Sequence, residues 1–478
     1  MTRPNILLIV LDTARASHVY NPDVMPHLNE FSQEGVKYTN AFTTGPWSLP
    51  SHASLFTGQY TADHQTHANS QQFTPDVEPL ASRLNASGYD TVAFSNNVWI
   101  SPSFGFDQGF DEFHMGWEVF SGGADIASIA KEHSTTANRV KALSSELLSP
   151  DIFKTTINAV YTKYLRKLYD SGAWLTNRRA KQWVDESPGG EEPFFMFINY
   201  LEPHLEYNPP SKYIEEVTPE GANPPSAEDV NQDAWAYLTD EVEMSAEDFD
   251  DLETLYNAEL RYLDERIKQL FDYLSEKGVL DDTLVVVTGD HGENIGDYGL
   301  MDHQYCLHDT LLNVPLIVRY PEAIEPAVRD DLVELRELYP ALLEAANEGP
   351  STTFPLTDED RDAVFSEYWV PQPAMETLEN RFGDLSEEVL KYDRGLQAIR
   401  TKEWKYVEGT DGSQRLYDVR DQTVNKSEIA SEHQDVVNKL QDRLRTQLDP
   451  ISLTDEDTTD GMETDVEQRL EDLGYLQS

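Results

Sequence analysis

The sequence predicts an α/β protein: a large, mostly parallel β-sheet flanked by helices, with a smaller C-terminal α+β unit that contains an antiparallel sheet. Two observations predict the large sheet. Short β-branched runs alternate with longer helix-like stretches, and the first run, Asn5–Leu11, has the apolar character of a strand buried on both faces. A third observation predicts the smaller unit, because closely spaced strands and a hairpin follow residue 352. Strands separated by helices are typical of βαβ units, which build parallel sheets.

The strands of the large sheet are predicted from their apolar and β-branched runs. They are Asn5–Leu11, Asp90–Ser95, Pro193–Leu201, Thr283–Thr288 and Val314–Val318. Apolar residues at helical spacing predict a helix over Phe249–Lys277, which Gly278 ends.

The chain is predicted to have two parts. The main α/β domain covers residues 1–352, with insertions over about 120–175 and 210–248; the stretch 122–186 has a helical pattern. The C-terminal unit covers 353–478. Its predicted elements are strands at Ala363–Trp369 and Leu396–Thr401, a hairpin of Trp404–Glu408 and Arg415–Val419, and an amphipathic helix over Ser431–Leu448.

The charge of the chain is strongly negative. It has 87 acidic and 36 basic residues, for a net charge of −51. This balance excludes general nucleic-acid binding, which needs clustered Lys and Arg, and docking on an anionic membrane. The acid is spread along the chain, as expected for a protein dissolved in concentrated salt, so we expect a halophilic archaeon as the source. An ordinary acidic enzyme is the alternative.

The expected compartment is the cytoplasm. Cys306 is the one cysteine, so an intrachain disulfide is excluded. No run reaches the roughly 18 apolar residues of a membrane span. The N-terminal apolar run ends in Asp12 without a cleavage pattern of small residues, which indicates a buried strand rather than a signal peptide.

Polar residues follow three of the predicted strands, where ligands bind in open α/β sheets. The strands run into Asp12-Thr13, into Glu202-Pro203-His204 and into Asp290-His291-Gly292-Glu293. Two carboxylates and an adjacent imidazole suit Ca²⁺, Mn²⁺ or Zn²⁺, so Asp12, Asp290 and His291 are predicted to bind a divalent metal. The alternative for a single such Asp is a helix cap.

Ser48 precedes a predicted helix with Pro50 in its first turn. A helix N-terminus favours anions and a deprotonated nucleophile, and a nearby metal activates such an oxygen. The alternative is that Ser48 only caps the helix.

The segment Ser48-x-Pro50-Ser51-x-x-Ser54-Leu55-x-Thr57-Gly58 resembles the signature of the sulfatase family, in the alkaline phosphatase superfamily. Other family landmarks follow in order: Pro4–Ile9 with Asp12, Gly88–Thr91, Gly109–Asp111, Pro203–Tyr207, Asp290–Glu293, Val314–Leu316, Arg400–Thr401, Lys405–Tyr406 and Leu416–Asp418. The resemblance covers most of the chain outside the insertions. It implies an alkaline-phosphatase-like fold and an arylsulfatase-like hydrolase with one divalent ion, Ca²⁺ before Mn²⁺ or Zn²⁺. It also implies a nucleophile at Ser48, either unmodified or converted to formylglycine.

Four positions depart from the family pattern. Thr13 replaces a second acidic ligand, His52 replaces an Arg, Ser95-Asn96-Asn97 replaces a Lys block, and His303 replaces a Lys. With fewer fixed positive charges, the metal and the imidazoles would carry more of the substrate anion.

The resemblance implies these roles at the matching positions. Asp12, Asp290 and His291 hold the metal, with Thr13 as a weak ligand. His52 orients or assists Ser48. His204 and His303 bind the sulfate or protonate the leaving oxygen, as general acids within hydrogen-bond reach do, and Asn96 contributes to substrate binding.

The expected substrate is a small-molecule or glycan sulfate monoester. The first alternative is a phosphoester or phosphonate hydrolase, or a phospho-group transferase, that uses unmodified Ser48. The second is a non-catalytic relative that binds anions or glycans.

Overall fold

The computed structural model describes residues 3–116, 172–186, 192–349, 354, 356, 361–420 and 427–451. Most of the predicted insertion at 120–175, the beginning of the helical stretch at 122, the predicted boundary near 352 and residues 452–478 lie outside this part of the chain. The placement of the domain boundary therefore stays a prediction.

The predicted strands form, and other strands join them. The large sheet contains β1 Asn5–Leu11, β2 Val36–Phe42, β3 Asp90–Ser95, β4 Glu112–Met115, β5 Phe194–Tyr200, β6 Thr283–Gly289, β9 Asn313–Arg319 and β10 Ala327–Glu334. A two-stranded ribbon contains β7 Asn294–Ile295 and β8 Met301–Asp302, and a four-stranded sheet contains β11 Ala363–Tyr368, β12 Leu396–Thr401, β13 Trp404–Gly409 and β14 Gln414–Asp418.

The large sheet is mixed but mostly parallel, as predicted. Its order is β10-β2-β9-β6-β1-β5-β3-β4. The five neighbours from β6 to β4 are all parallel to one another, whereas β9 runs antiparallel to both β6 and β2. Strand β1 lies between β5 and β6, with Leu8 beside Phe197 and Val286.

Both faces of the sheet are buried at its central strand β1. Along β1, Ile6, Leu8 and Val10 belong to one hydrophobic cluster and the residues between them to the other. The described helices are α1 Ala16–Val19, α2 Pro26–Phe31, α3 Ser48–Thr57, α4 Thr61–His64, α5 Leu80–Ala86, α6 Ala173–Glu186, α7 Ser211–Val217, α8 Ala234–Leu238, α9 Ala246–Glu276, α10 Asp309–Leu312, α11 Leu338–Glu348, α12 Met375–Phe382, α13 Glu387–Leu390 and α14 Gln434–Gln447. Within the described ranges, none of these helices is long and apolar enough to cross a membrane.

Helix α9 covers one face of the sheet. It begins with a capping box in which the Ser245 and Asp248 side chains each accept the other's backbone N–H. Its apolar residues contact the β1 side chains Leu7, Ile9 and Leu11 in a shared cluster. This packing holds β1 and β6 in place, and Asp12 and Asp290 directly follow their carboxyl ends.

The C-terminal sheet is antiparallel throughout, as predicted, and α14 packs on it. It is joined to the main domain next to α3, because Ser366 Oγ donates to the Thr43 carbonyl and Glu367 N–H donates to the Thr44 carbonyl at 2.8 Å. The segment that leads into α3 is thus supported from the second sheet.

Candidate active site

Four neighbouring parallel strands end at one edge of the large sheet. Strands β6, β1, β5 and β3 lie side by side, and each is followed directly by polar, fully or almost fully buried residues. Asp290 follows β6, Asp12 follows β1, Glu202 and His204 follow β5, and Asn96 follows β3. The structure therefore brings together side chains that are up to 278 positions apart in the sequence.

The two aspartates each have one satisfied and one unpartnered oxygen. Asp290 Oδ1 accepts the N–H groups of His291 at 2.8 Å and Thr13 at 3.1 Å, while Asp12 Oδ2 accepts from Asn97 Nδ2. No described residue donates a hydrogen bond to Asp12 Oδ1 or Asp290 Oδ2. Buried unpartnered carboxylate oxygens are costly unless a cation binds them.

His291 points its unprotonated nitrogen at these oxygens. Its Nδ1–H donates to the Gly292 carbonyl at 2.9 Å, so Nε2 keeps its lone pair. Nε2 lies 3.4 Å from Asp290 Oδ2 and 3.8 Å from Asp12 Oδ1. Thr13 adds a buried hydroxyl oxygen with no hydrogen bond to a described residue, in a backbone with φ of 55° that a β-branched residue rarely adopts.

The electrostatics of this cluster fit a divalent cation. Burial raises the pKa of Asp12 well above its usual range, and the neighbouring Asp290 raises it further; burial also raises the pKa of Asp290. Burial lowers the pKa of His291, which keeps the imidazole neutral. Two carboxylates side by side and a neutral imidazole, with ligand atoms within 4.8 Å of one another, are a set that a cation stabilises.

Ser48 lies against this cluster. It is the first residue of α3, which Trp47 caps without a side-chain hydrogen bond, so the alternative that Ser48 only caps the helix is wrong. Its hydroxyl lies 3.3 Å from His291 Nε2 and accepts a hydrogen bond from Asn97 Nδ2 at 2.9 Å. The hydroxyl is therefore held beside the unpartnered carboxylate oxygens.

His52 contacts Ser48 through the backbone. Its Nδ1–H donates to the Ser48 carbonyl at 2.9 Å, one turn back along α3, and its Nε2 accepts from Asn199 at 3.4 Å. Burial lowers the pKa of His52, although the Asp290 carboxylate opposes that effect. With both ring nitrogens engaged, His52 is placed to orient Ser48 rather than to take its proton.

His204 and His303 lie on the other side of the cluster. Their ring centroids are 5.2 Å apart, and the His303 ring is 4.5 Å from that of His291. Burial lowers the pKa of His204 to about 3. Burial acts in the same direction on His303, but the carboxylates of Asp302 and Glu293 outweigh it and raise that pKa well above its ordinary value.

Comparison with known proteins assigns the chain to a family. The Sulfatase family profile matches residues 4–348. The chain belongs to the sulfatase family. The choline-sulfatase of Rhizobium meliloti (strain 1021) is 23% identical over 445 residues, which cover 90% of this chain and 82% of that protein. The N-acetylglucosamine-6-O-sulfatase of Bacteroides thetaiotaomicron is 22% identical over 415 residues, which cover 72% and 68%.

Solved structures share the fold. The phosphonate monoester hydrolase of Agrobacterium radiobacter superposes with a TM-score of 0.67 at 22% identity, covering 95% of this chain and 99% of that one. The protein is thus a sulfatase-type hydrolase with an alkaline-phosphatase-like fold, which confirms the predicted fold and enzyme class.

Asn97, to which the sequence analysis of this sulfatase gave no role beyond its place in the Ser95-Asn96-Asn97 block, lies inside the site. Asn97 is fully buried, and its Nδ2 donates to both Asp12 Oδ2 and Ser48 Oγ. Its Oδ1 accepts the Trp99 N–H at 2.8 Å, which fixes the orientation of the amide. Two signals were available: Asn97 belongs to the block that replaces the family's Lys block, and it comes two residues after a strand that ends at the same edge.

Asn96, the neighbour predicted to bind substrate, is directed elsewhere in this sulfatase. Its Oδ1 accepts from Thr176 Oγ1 at 3.1 Å, and its amide fits against Gly116 and Gly172, where a Cβ would be 1.8 Å and 2.8 Å away. Its part in substrate binding stays a prediction.

Proposed function

We propose that this sulfatase hydrolyses a sulfate monoester, with Ser48 or the formylglycine derived from it as the nucleophile, and that the reaction requires a divalent cation. The placement of the Ser48 hydroxyl carries the proposal. It lies between Asn97 Nδ2 and His291 Nε2, next to two buried carboxylates that each present an unpartnered oxygen.

The cation would be held by Asp12 Oδ1, Asp290 Oδ2 and His291 Nε2, with Thr13 Oγ1 as a weaker ligand. When bound, it supplies the positive charge that neutralises the carboxylates and favours the deprotonated form of a neighbouring hydroxyl. Carboxylate oxygens suit Ca²⁺, and the imidazole also suits Mn²⁺ or Zn²⁺.

The residues of the chain would divide the remaining work. The Ser48 oxygen attacks the sulfur, the bond from sulfur to the ester oxygen breaks, and the leaving oxygen takes a proton. The sulfate now bound to residue 48 would then be released, either by water that attacks the sulfur and returns a proton to the Ser48 oxygen, or, in a hydrated formylglycine, by the second hydroxyl, which loses its proton as the aldehyde re-forms and expels sulfate. The raised pKa of His303 makes it the better proton donor, while neutral His204 lines the sulfate site. His52 keeps the Ser48 backbone in place through its 2.9 Å hydrogen bond.

Phosphoester or phosphonate hydrolysis by unmodified Ser48 is the second candidate. Two observations favour it. His52, the Ser95-Asn96-Asn97 block and His303 stand where the family pattern has Arg and Lys, and a phosphonate monoester hydrolase shares the fold. The choline-sulfatase and N-acetylglucosamine-6-O-sulfatase relatives favour a small-molecule or glycan sulfate ester instead.

Matched variants and substrates test the proposal. Ser48→Ala should remove nearly all turnover of an aryl sulfate, whereas Ser54→Ala, whose hydroxyl contacts His64 at 3.0 Å on the same helix, should retain it. Near-wild-type rates for Ser48→Ala on both aryl sulfate and aryl phosphate would refute the nucleophile. Peptide mass spectrometry of the native protein shows whether Ser48 carries formylglycine. An unconverted Ser48 that turns over only the phosphate would establish the second candidate.

The setting of the enzyme is part of the same proposal. Acidic side chains outnumber basic ones and give the chain a net charge of −51. Most of the acidic side chains that the structure describes are exposed or half-buried. Such a surface is suited to concentrated salt, where repulsion is screened, and we propose a salt-rich cytoplasm as its compartment.

A further inference from the structure

A second group of residues whose side chains could hold a metal ion lies beside the first. The ligand atoms of Glu293, Asp302 and His303 lie within 4.8 Å of one another. The ribbon of β7 and β8 places them together, because it pairs Asn294, the residue after Glu293, with Asp302. The 4.5 Å distance between the His291 and His303 rings makes the two groups direct neighbours.

Glu293 has no described hydrogen-bond partner although it is fully buried. Neither of its carboxylate oxygens accepts a hydrogen bond from a residue in the described ranges, and Oε1 lies 3.4 Å from His303 Nδ1. The buried Tyr207 hydroxyl likewise has no described hydrogen-bond partner. Apart from its contact with His303, this buried carboxylate is unpartnered among the described residues, a cost that a bound cation would offset.

The charges of the whole site point the same way. Asp12, Asp290, Glu293 and Asp302 are four buried carboxylates in the two neighbouring groups, at a site that by the proposed function would also accept an anionic ester. Arg15 is close to Glu293 but forms its ion pair with Asp297. One divalent cation balances two of the four carboxylates, and a second cation beside Glu293 and Asp302 would balance the other two.

We propose that Glu293, Asp302 and His303 form a second divalent-cation site next to the site of Asp12, Asp290 and His291. Two carboxylates and one imidazole nitrogen suit a cation of borderline softness such as Mn²⁺ or Zn²⁺. His303 Nδ1 faces both carboxylates, at 2.5 Å from Asp302 Oδ1 and 3.4 Å from Glu293 Oε1. Two ligand atoms at about 2.0–2.2 Å from a tetrahedral metal lie at least about 3.3 Å apart. The Glu293 oxygen is already at that distance from His303 Nδ1, and the Asp302 oxygen would move away from it by about 1 Å to accommodate the ion.

The second cation site is inferred from the geometry alone, and only its effect on the ester rests on the proposed function. It would replace the His303 imidazolium as the positive charge near the sulfate or phosphate group. His204 would then be the imidazole left to interact with the leaving oxygen.

Metal counting on the whole chain tests the site. The metal-stripped wild-type protein is titrated with Mn²⁺ in about 1 M KCl, where a Debye length of about 3 Å suppresses adsorption to the acidic surface. We expect two tightly bound Mn²⁺ per chain and an electron paramagnetic resonance spectrum broadened by coupling between neighbouring ions. Glu293→Gln, which keeps the shape of the side chain, should bind one Mn²⁺ and give an uncoupled spectrum.

Three further variants make the result decisive. Asp302→Asn should reproduce the loss of one Mn²⁺, Asp290→Asn should lose the ion of the other site, and exposed Glu220→Gln should keep both. One Mn²⁺ in the wild type, or two in a folded Glu293→Gln or Asp302→Asn protein, would overturn the proposal. The wild-type count decides even if a variant does not fold. Because no ester is present, an inactive Ser48 would not alter these counts.

Discussion

Replacing Asn97 by Ala tests whether this amide positions the nucleophile. The substitution removes two hydrogen bonds from one nitrogen: one to the Asp12 carboxylate and one at 2.9 Å to the Ser48 hydroxyl. A hydrogen bond to a charged group contributes about 1.5–3 kcal/mol. If that energy positions Ser48 in the transition state, kcat should fall by about 10- to 150-fold.

The same substitution has a structural cost that must be separated from its catalytic one. It leaves the buried Trp99 N–H without the acceptor it has at 2.8 Å, which should lower stability by about 1–3 kcal/mol. Asn97→Asp keeps that acceptor but removes the donor and adds a carboxylate beside Asp12. With the donor lost it should be no more active than Asn97→Ala, and because the added buried carboxylate is costly it should also be no more stable.

The assay is steady-state kinetics on whichever aryl ester the wild type hydrolyses, together with thermal unfolding in high salt. A positioning role predicts a fall in kcat with a small change in KM. The control Ser54→Ala, whose hydroxyl contacts His64 rather than the site, should leave both unchanged. A folded Asn97→Ala protein with kcat within about twofold of the wild type, a difference of only about 0.4 kcal/mol, would refute the reasoning.

Three further outcomes concern stability. Asp309→Asn should lower the free energy of unfolding by about 3–5 kcal/mol, because it leaves buried Lys405 without the carboxylate that contacts it at 2.5 Å. Lys405→Met should cost less, since Asp309 keeps its 3.3 Å contact with Arg400; equal losses in urea titrations would contradict this account. Burial lowers the pKa of His64 to about 3, and its Nδ1 accepts the Thr66 N–H, so only the unfolded chain takes up a proton between about pH 6.5 and 3. The contribution of neutral His64 to the free energy of unfolding should thus be fully present above about pH 6.5 and decrease below it. His64→Gln should reduce that decrease in melts recorded at several pH values. Raising salt from millimolar to molar should raise the unfolding midpoint, because at 0.01 M the Debye length of about 30 Å lets a net charge of −51 repel itself across the molecule; identical circular dichroism melts at both extremes would exclude salt adaptation.

The sequence by itself determined the central strands and the meeting of Asp12, Asp290 and His291. Strand β1 has the predicted bounds Asn5–Leu11 because a strand buried on both faces needs an unbroken apolar run, and Asp12 ends that run. Asp12 and Asp290 could be predicted to meet because the carboxyl ends of parallel strands share one edge of a sheet. The motif around Ser48 could be matched to the family because its residues are contiguous along the chain.

The tertiary structure decided what depends on partners rather than on a local pattern. Strands β2 and β10 were missed because they contain exposed or half-buried polar residues, and the antiparallel direction of β9 was missed because an apolar run reads the same in both directions. Asn97 acts 85 positions away from Asp12, through the pairing of β3 with β5 and of β5 with β1. No local pattern marks such an amide or joins Glu293 to Asp302 and His303, because these contacts exist only once the strands and the β7–β8 ribbon have paired.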